Sequence, residues 1–259
     1  MLKSDSSTDA QKKVQQAKKG FEQDLFAPGH AQIISDEEHL AELMRSADLQ
    51  SGRRFLDIGT GGGYVAFELL RRNPEISVVG IDIVEKIIAA NNKKAAESNS
   101  GSVEFMGFDG MNLPFDDALF YGAISRYAFH HFPQPALSAS EIRRILEPGG
   151  WCIISDPMAD PDDDYDFINQ FGALKDDGHV RYYRETELVE LFKEAGLALE
   201  SKFISAITFP RVLDDRYTAL VANTPRRIIE RYGIRIEKDS IYITMQVMNI
   251  RFRKPLPAA

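Results

Sequence analysis

Four glycines within five positions, Gly59, Gly61, Gly62 and Gly63, constrain this chain more than any other feature. They follow an apolar run that ends in an acid, Asp57, in the stretch FLDIGTGGGYVAF (residues 55–67). Glycine loses more chain entropy on folding than any other residue, so such a cluster implies positive φ or close backbone approach by a ligand. Phe55 and Leu56 read as the end of a buried strand. Tyr64 to Arg72 then carry apolar residues at helical spacing (Val65, Phe67, Leu69, Leu70) until Asn73-Pro74 breaks the pattern. Strand, glycine turn and helix in that order present backbone N–H groups and the positive end of a helix to whatever lies above the sheet. The stretch therefore reads as a small-molecule site, against the plainer reading of a tight strand-to-helix connection.

The 259 residues suffice for one large α/β domain with a substantial core. No apolar run approaches the roughly twenty residues that span a bilayer, and residues 1–20 are polar and basic, so the expectation is a cytoplasmic protein without membrane insertion. The single cysteine, Cys152, lies in an apolar run and agrees with a reducing compartment. A net charge of −8 without an extended basic tract disfavours a surface that tracks phosphates.

Beyond the glycines the pattern alternates. Strands are expected at Ser77 to Ile83, Val103 to Asp109, Phe120 to Arg126 and Trp151 to Ser155, with helices at about Glu85 to Glu97 and Pro135 to Leu146. This implies a doubly wound, mostly parallel α/β sheet with ligands at the strands' carboxyl edge. Ahead of it, residues 1–48 read as a helical cap whose first twenty residues form a mobile or loosely docked helix with little chemistry. Ser35 and Glu38 form a candidate capping box. After it, a helix at about Glu185 to Ala195 is closed by Gly196, and Leu197 to Ser205 and Ser240 to Arg253 read as two long strands. Thr224-Pro225 is a candidate start for a helix between them. One domain over 1–259 is expected, with a core at 50–205 and lid or substrate insertions at 158–183 and 206–239.

Asp82 ends the second strand about twenty residues past the glycines, the spacing at which a carboxylate accepts hydrogen bonds from a ribose. Asp109 ends the third strand within FDGMNLPF, where a carboxylate reaches an adenine amino group. Together, DIGTGGG (57–63), the acid of GIDI, the acid of GFDGMNLPF, AISRYAFHHFPQP at the fourth strand and LEPGGWCIISDP at the fifth resemble the ordered motifs of class I S-adenosylmethionine-dependent methyltransferases. The similarity spans roughly residues 50–205. It is greatest to the small-molecule branch that includes the ubiquinone and menaquinone C-methyltransferases. The resemblance implies a seven-stranded sheet with an antiparallel last strand and S-adenosylmethionine as cofactor. It also implies that Gly59, Gly61 and Gly63 pass under the methionine and ribose, with Asp57 orienting the loop. Asp82 would hold the ribose hydroxyls, Ile83 would pack on adenine, Asp109 and Gly110 would meet its amino edge, and Arg126 would line the methionyl end or the chamber floor.

His130 and His131 lie just beyond the fourth strand, near the expected acceptor, and a histidine can take a proton from an oxygen or carbon nucleophile. The alternative is an imidazole packed under the cofactor. Phe167, Phe171, Tyr182, Tyr183 and Phe209 are candidates for an apolar pocket wall, which would suit an apolar or aromatic small-molecule substrate. A homodimer is compatible with the chain. No metal is expected: the acidic stretch Asp160, Asp162, Asp163, Asp164 and Asp166 lacks the glycine and distal glutamate of a calcium loop. SRYAF stands where amino-methyltransferases of nucleic acids carry an N/D-P-P-Y/F motif, so no nucleic-acid partner is expected. Gly61, Gly63 and Ala66 also satisfy a dinucleotide fingerprint, which keeps an NAD-linked oxidoreductase as one rival. The other is a protein that binds S-adenosylmethionine without catalysis.

Overall fold

The computed structural model describes residues 4–24, 37–98 and 102–257. An eight-stranded mixed sheet forms its centre: β1 (Arg54–Ile58), β2 (Ser77–Asp82), β3 (Val103–Gly107), β4 (Phe120–Arg126), β5 (Leu146–Pro157), β6 (Ala198–Val212), β7 (Arg235–Glu237) and β8 (Ser240–Arg253). Seven of them run in the order β3-β2-β1-β4-β5-β8-β6, and the short β7 pairs with the start of β8, one strand more than expected. Among these seven, only β8 runs against its neighbours. The order reverses between β1 and β4, and that switch point opens a crevice at the carboxyl edge.

Helices cover both faces because the central strands are apolar throughout; β1 is buried at Phe55, Leu56 and Ile58. One face packs α2 (Glu37–Arg45) and α3 (Tyr64–Arg72) through Leu43, Met44, Val65 and Leu69, with α4 (Glu85–Glu97) beside them. The other packs α5 (Pro135–Ile145) and, further along, α7 (Glu185–Glu194) through Ile142, Leu188 and Phe192. The sole tryptophan, Trp151, is fully buried and its indole N–H donates to the Asp48 carbonyl at 3.3 Å.

Three expectations need correcting. The N-terminal helix, α1 (Ser4–Asp24), is not loosely docked: Ala10, Val14 and Ala17 make a helical stripe that is buried against the body. Residues 206–212 belong to no insertion, because they continue β6. The β6–β8 ladder runs from Ala198 to Val212, whereas β5 stops at Pro157 opposite Val247, so the outer part of the ladder overhangs the carboxyl edge. Past it, α8 (Asp215–Ala222) is capped by Asp214, which accepts from the backbone N–H groups of Arg216 and Tyr217. Thr224 does not cap α9 (Arg226–Arg231): its hydroxyl donates backwards to the Leu220 carbonyl at 2.7 Å. The segment 158–183 carries α6 (Phe167–Ala173), started by Asp163, which accepts from the Phe167 and Ile168 N–H groups at 3.0 Å. With the overhang and α8–α9 it forms a separate apolar cluster around Phe167, Phe171, Tyr217 and Ile243. Ser35 of the candidate capping box lies outside the described residues.

Candidate active site

The crevice above the switch point is a cleft of about 1380 Å³ including its open mouth, room for a nucleoside-sized cofactor together with an acceptor. One half of it is backbone. Gly59 (φ +73°) and Gly61 (φ +47°) adopt the left-handed region, and a side chain at Gly59 would sit 2.5 Å from Ala128 Cβ. Gly61 faces open space. Asp57 is buried at the root of the loop, where its carboxylate accepts from the Thr60 hydroxyl at 2.6 Å and the Ala66 N–H at 3.2 Å. Burial pushes its pKa up to about 7, against the pull of those two hydrogen bonds.

Asp82 lines the same cleft. One carboxylate oxygen accepts from the Gly61 N–H and the other from the Val84 N–H, both at 3.0 Å, so the acid ties the glycine loop to the start of α4. Burial raises its pKa as well, with the backbone donors opposing. A carboxylate offers about four lone-pair sites, so two donors leave capacity for hydroxyls in the cleft. Ile83 and Gly110 line the cleft beside it; Gly63 does not, standing instead at the start of α3. Asp109 is also outside: its oxygens accept from the Met111 and Asn112 N–H groups (2.8 and 2.7 Å) and the Asn112 amide (2.9 Å). Partial burial raises its pKa, but these donors outweigh that and hold it below the usual carboxylate range. The turn chemistry of an aspartate engages that carboxylate locally, and Phe108 and Gly110 take its place at the cleft.

The other half is built of side chains. Arg126 ends β4 and lies over the Tyr127 ring at 4.6 Å, while its Nε donates to His39 Nδ1 at 3.3 Å. His39 in turn reaches Asn249 Oδ1 through Nε2 (3.1 Å), and Ser155 donates to the same oxygen at 2.7 Å. This buried network fixes Arg126 from α2 and β8. Tyr127 is a non-glycine residue at φ +57°, a conformation costing about 1–3 kcal/mol. Its N–H donates to the Ser155 carbonyl at 2.8 Å and its ring stacks on His39, so strain at the strand tip is held by its surroundings.

His130 and His131 follow on a single 3-10 turn and both line the cleft. Nδ1 of His130 lies 2.9 Å from Asp156 Oδ1, with Asp156 wholly buried. Burial drives both toward their uncharged forms, leaving a net-neutral pair that shares one proton. The His131 ring stands edge-on to Phe21 at 4.8 Å and its Nδ1 is buried without a hydrogen-bond partner. Burial lowers its pKa to about 3, so it is neutral at pH 7. Tyr182, Ile207, Phe209, Arg211 and the Lys175–Asp177 ion pair (2.9 Å) complete this half. Of the five aromatics expected to form its wall, Tyr182 and Phe209 do so; Phe167 and Phe171 belong to the cap cluster and Tyr183 to the main core. Val14, Ala17, His39 and Tyr127 were missed: the first two carried no signal beyond a helical stripe, and a lone histidine in a helix carried none.

Among the described residues no cluster of His, Cys, Asp or Glu is suited to a metal ion, and no helix is long and apolar enough to cross a membrane. A family model described as a methyltransferase domain matches residues 30–202, two thirds of the chain. The uncharacterized methyltransferase YcgJ of Bacillus subtilis is 29% identical over 170 residues, covering 65% of this chain and 66% of that one. A demethylmenaquinone methyltransferase of Deinococcus radiodurans is 34% identical over 104 residues, 40% of this chain and 43% of that one. The matches thus span less than two thirds of those relatives' lengths. A solved structure assigned as a methyltransferase, from Bacillus halodurans C-125, superposes with a TM-score of 0.75 at 28% identity, covering 84% of this chain and 99% of that one. Nothing in these matches favours a nicotinamide-linked reading of the glycine loop. A family model that covers the glycine loop and the strand tips at the switch point, and a neighbour matched over nearly its whole length, carry one conclusion: the chain belongs to the methyltransferase-domain family, whose cofactor is S-adenosylmethionine.

Proposed function

We propose that the protein transfers the methyl group of S-adenosylmethionine to a small-molecule acceptor with an apolar or aromatic body. The observation that carries this reading is the division of one cleft into a glycine-lined half with free capacity on Asp82 and an aromatic half that includes the neutral imidazole of His131. The cofactor fits the first half on physical grounds. Gly61 leaves open space, Gly59 admits no side chain, and Asp82 retains acceptor sites toward the cleft. Asp82 would hold the ribose hydroxyls, Ile83 and Phe108 would pack on adenine, and Gly59 to Gly61 would pass under the ribose and methionine. Gly63 and Asp109 would act indirectly, through the turns they shape, while Asp57 orients the loop and Arg126 closes the methionyl end.

Bound there, S-adenosylmethionine supplies an electrophilic methyl group on a positively charged sulfur. The chain's own contribution is placement: Phe21, Tyr182 and Phe209 exclude water and hold the acceptor flat against the cofactor half. Where the accepting atom carries a proton, His131 would take it. Its imidazole is neutral and lines the cleft, whereas His130 is bound to Asp156 and would act as a support. Incubation of the purified chain with S-adenosylmethionine labelled in the methyl group and a cell extract tests the proposal. Label in a small-molecule product, with matching S-adenosylhomocysteine, supports it; cofactor binding without any S-adenosylhomocysteine marks a binding protein instead.

A further inference from the structure

The overhanging part of β6 places Ile207, Phe209 and Arg211 on one face at every second residue, and all three line the cleft, while Thr208 between them is exposed. The Arg211 guanidinium lies 4.6 Å over the Phe209 ring. It forms no ion pair and no hydrogen bond among the described residues, although it is only partly exposed. The other arginines of the cap differ: Arg216 pairs with Asp214, Arg226 with Glu230, Arg227 with Asp164, Arg231 with Asp160 and Arg235 with Glu237. The acid that lines the cleft on this side, Asp177, is engaged by Lys175, and Asp156 behind it is wholly buried against His130.

We propose, building on the function above, that the acceptor carries an anionic group, a carboxylate or its equivalent, and that Arg211 is the residue that reads it. A guanidinium held over an aromatic ring can still offer its N–H donors to a bidentate contact with an anion. Drawing a cation out of water costs free energy unless a counter-charge replaces the lost hydration, and the acceptor is the component of the complex able to bring one. The field of Arg211 falls on Tyr182 and His130, which places its charge among the residues that surround the acceptor. Tyr182 and Phe209 would then grip the ring or apolar body while Arg211 fixes its acidic end. Specificity follows, since a neutral analogue leaves the guanidinium unpaired.

The test uses the full chain and three hydroxy-aromatic acids, 4-hydroxybenzoate, 4-hydroxyphenylacetate and 4-hydroxycinnamate, each beside its primary amide. Binding is measured calorimetrically with the chain free and with it saturated by S-adenosylhomocysteine. The expected result is at least one acid bound about tenfold more tightly than its amide. Arg211→Gln should bring that ratio to about one and Arg211→Lys should keep about threefold of it. No acid binding at millimolar concentration, equal binding of acid and amide, or a ratio that Arg211→Gln leaves intact would overturn the proposal. Failure of S-adenosylhomocysteine to bind would instead strike the methyl-transfer reading, and the acid-to-amide ratio on the free chain is read separately.

Discussion

The two halves of the cleft are made by different means. The cofactor half is backbone set by short-range sequence: a glycine turn, and two carboxylates that accept N–H or hydroxyl groups within a few residues or from one adjacent strand tip. The acceptor half is side chains delivered from α1, the tip of β4, the 158–183 segment and the β6 overhang. Its members Phe21, Lys175 and Arg211 stand more than a hundred residues from one end of the set to the other.

That contrast makes distinct demands on mutants. The largest effect belongs to Gly59→Val, which drives a side chain into Ala128 and strains a left-handed backbone. It should cost roughly 2–5 kcal/mol of stability and abolish cofactor binding, read by urea denaturation and calorimetry. Next comes a double dissociation. His131→Ala should lower turnover on a hydroxyl acceptor roughly a hundredfold or more while the cofactor Kd moves less than about twofold. Asp82→Ala should raise that Kd about a hundredfold, near 3 kcal/mol. If both variants changed the same parameter, the division of the cleft would fail.

The halves also titrate in opposite directions. Burial holds His131 at a pKa of about 3 against 6.5 in the unfolded chain, so its contribution is present above pH 6.5 and is lost as pH falls toward 3. Asp57, raised by burial from 3.8 to about 7, contributes stability below pH 3.8 that is lost as pH rises through 7. Between pH 4 and 6, His131→Gln should lower the slope of unfolding free energy against pH and Asp57→Asn should raise it, each by about 1.4 kcal/mol per pH unit. Denaturation curves across that range check the signs, and unchanged slopes would contradict the burial assigned to both groups. The smallest effect is expected of Asp109→Ala: about 1 kcal/mol of stability from the broken turn and cofactor affinity within about threefold, since the carboxylate serves Met111 and Asn112.

How legible each region was in the sequence follows the same line. The strand and helix limits around the glycine loop could be read because Tyr64–Arg72 and Glu85–Glu97 carry their own periodicity and breakers. Asp82 was legible because its spacing from the glycines is set by one strand-helix-strand unit. The turn that engages Asp109 was not legible, because position in an ordered series says nothing of a side chain's local hydrogen bonds. The overhang of β6 was hidden: Pro210 argues against a strand, and the pairing that holds it, Ala206–Val212 with Ser240–Gln246, is long-range. Arg126 was named, but the His39 and Asn249 contacts that fix it join α2 to β8 and leave no local trace.

A crystal structure of the chain with S-adenosylhomocysteine addresses the division of the cleft most directly. The ribose hydroxyls should lie within hydrogen-bonding distance of Asp82, with the sulfur turned toward the chamber bounded by Arg126, His131 and Tyr182. An adenosine bound elsewhere, or a sulfur facing away from those three side chains, would contradict it.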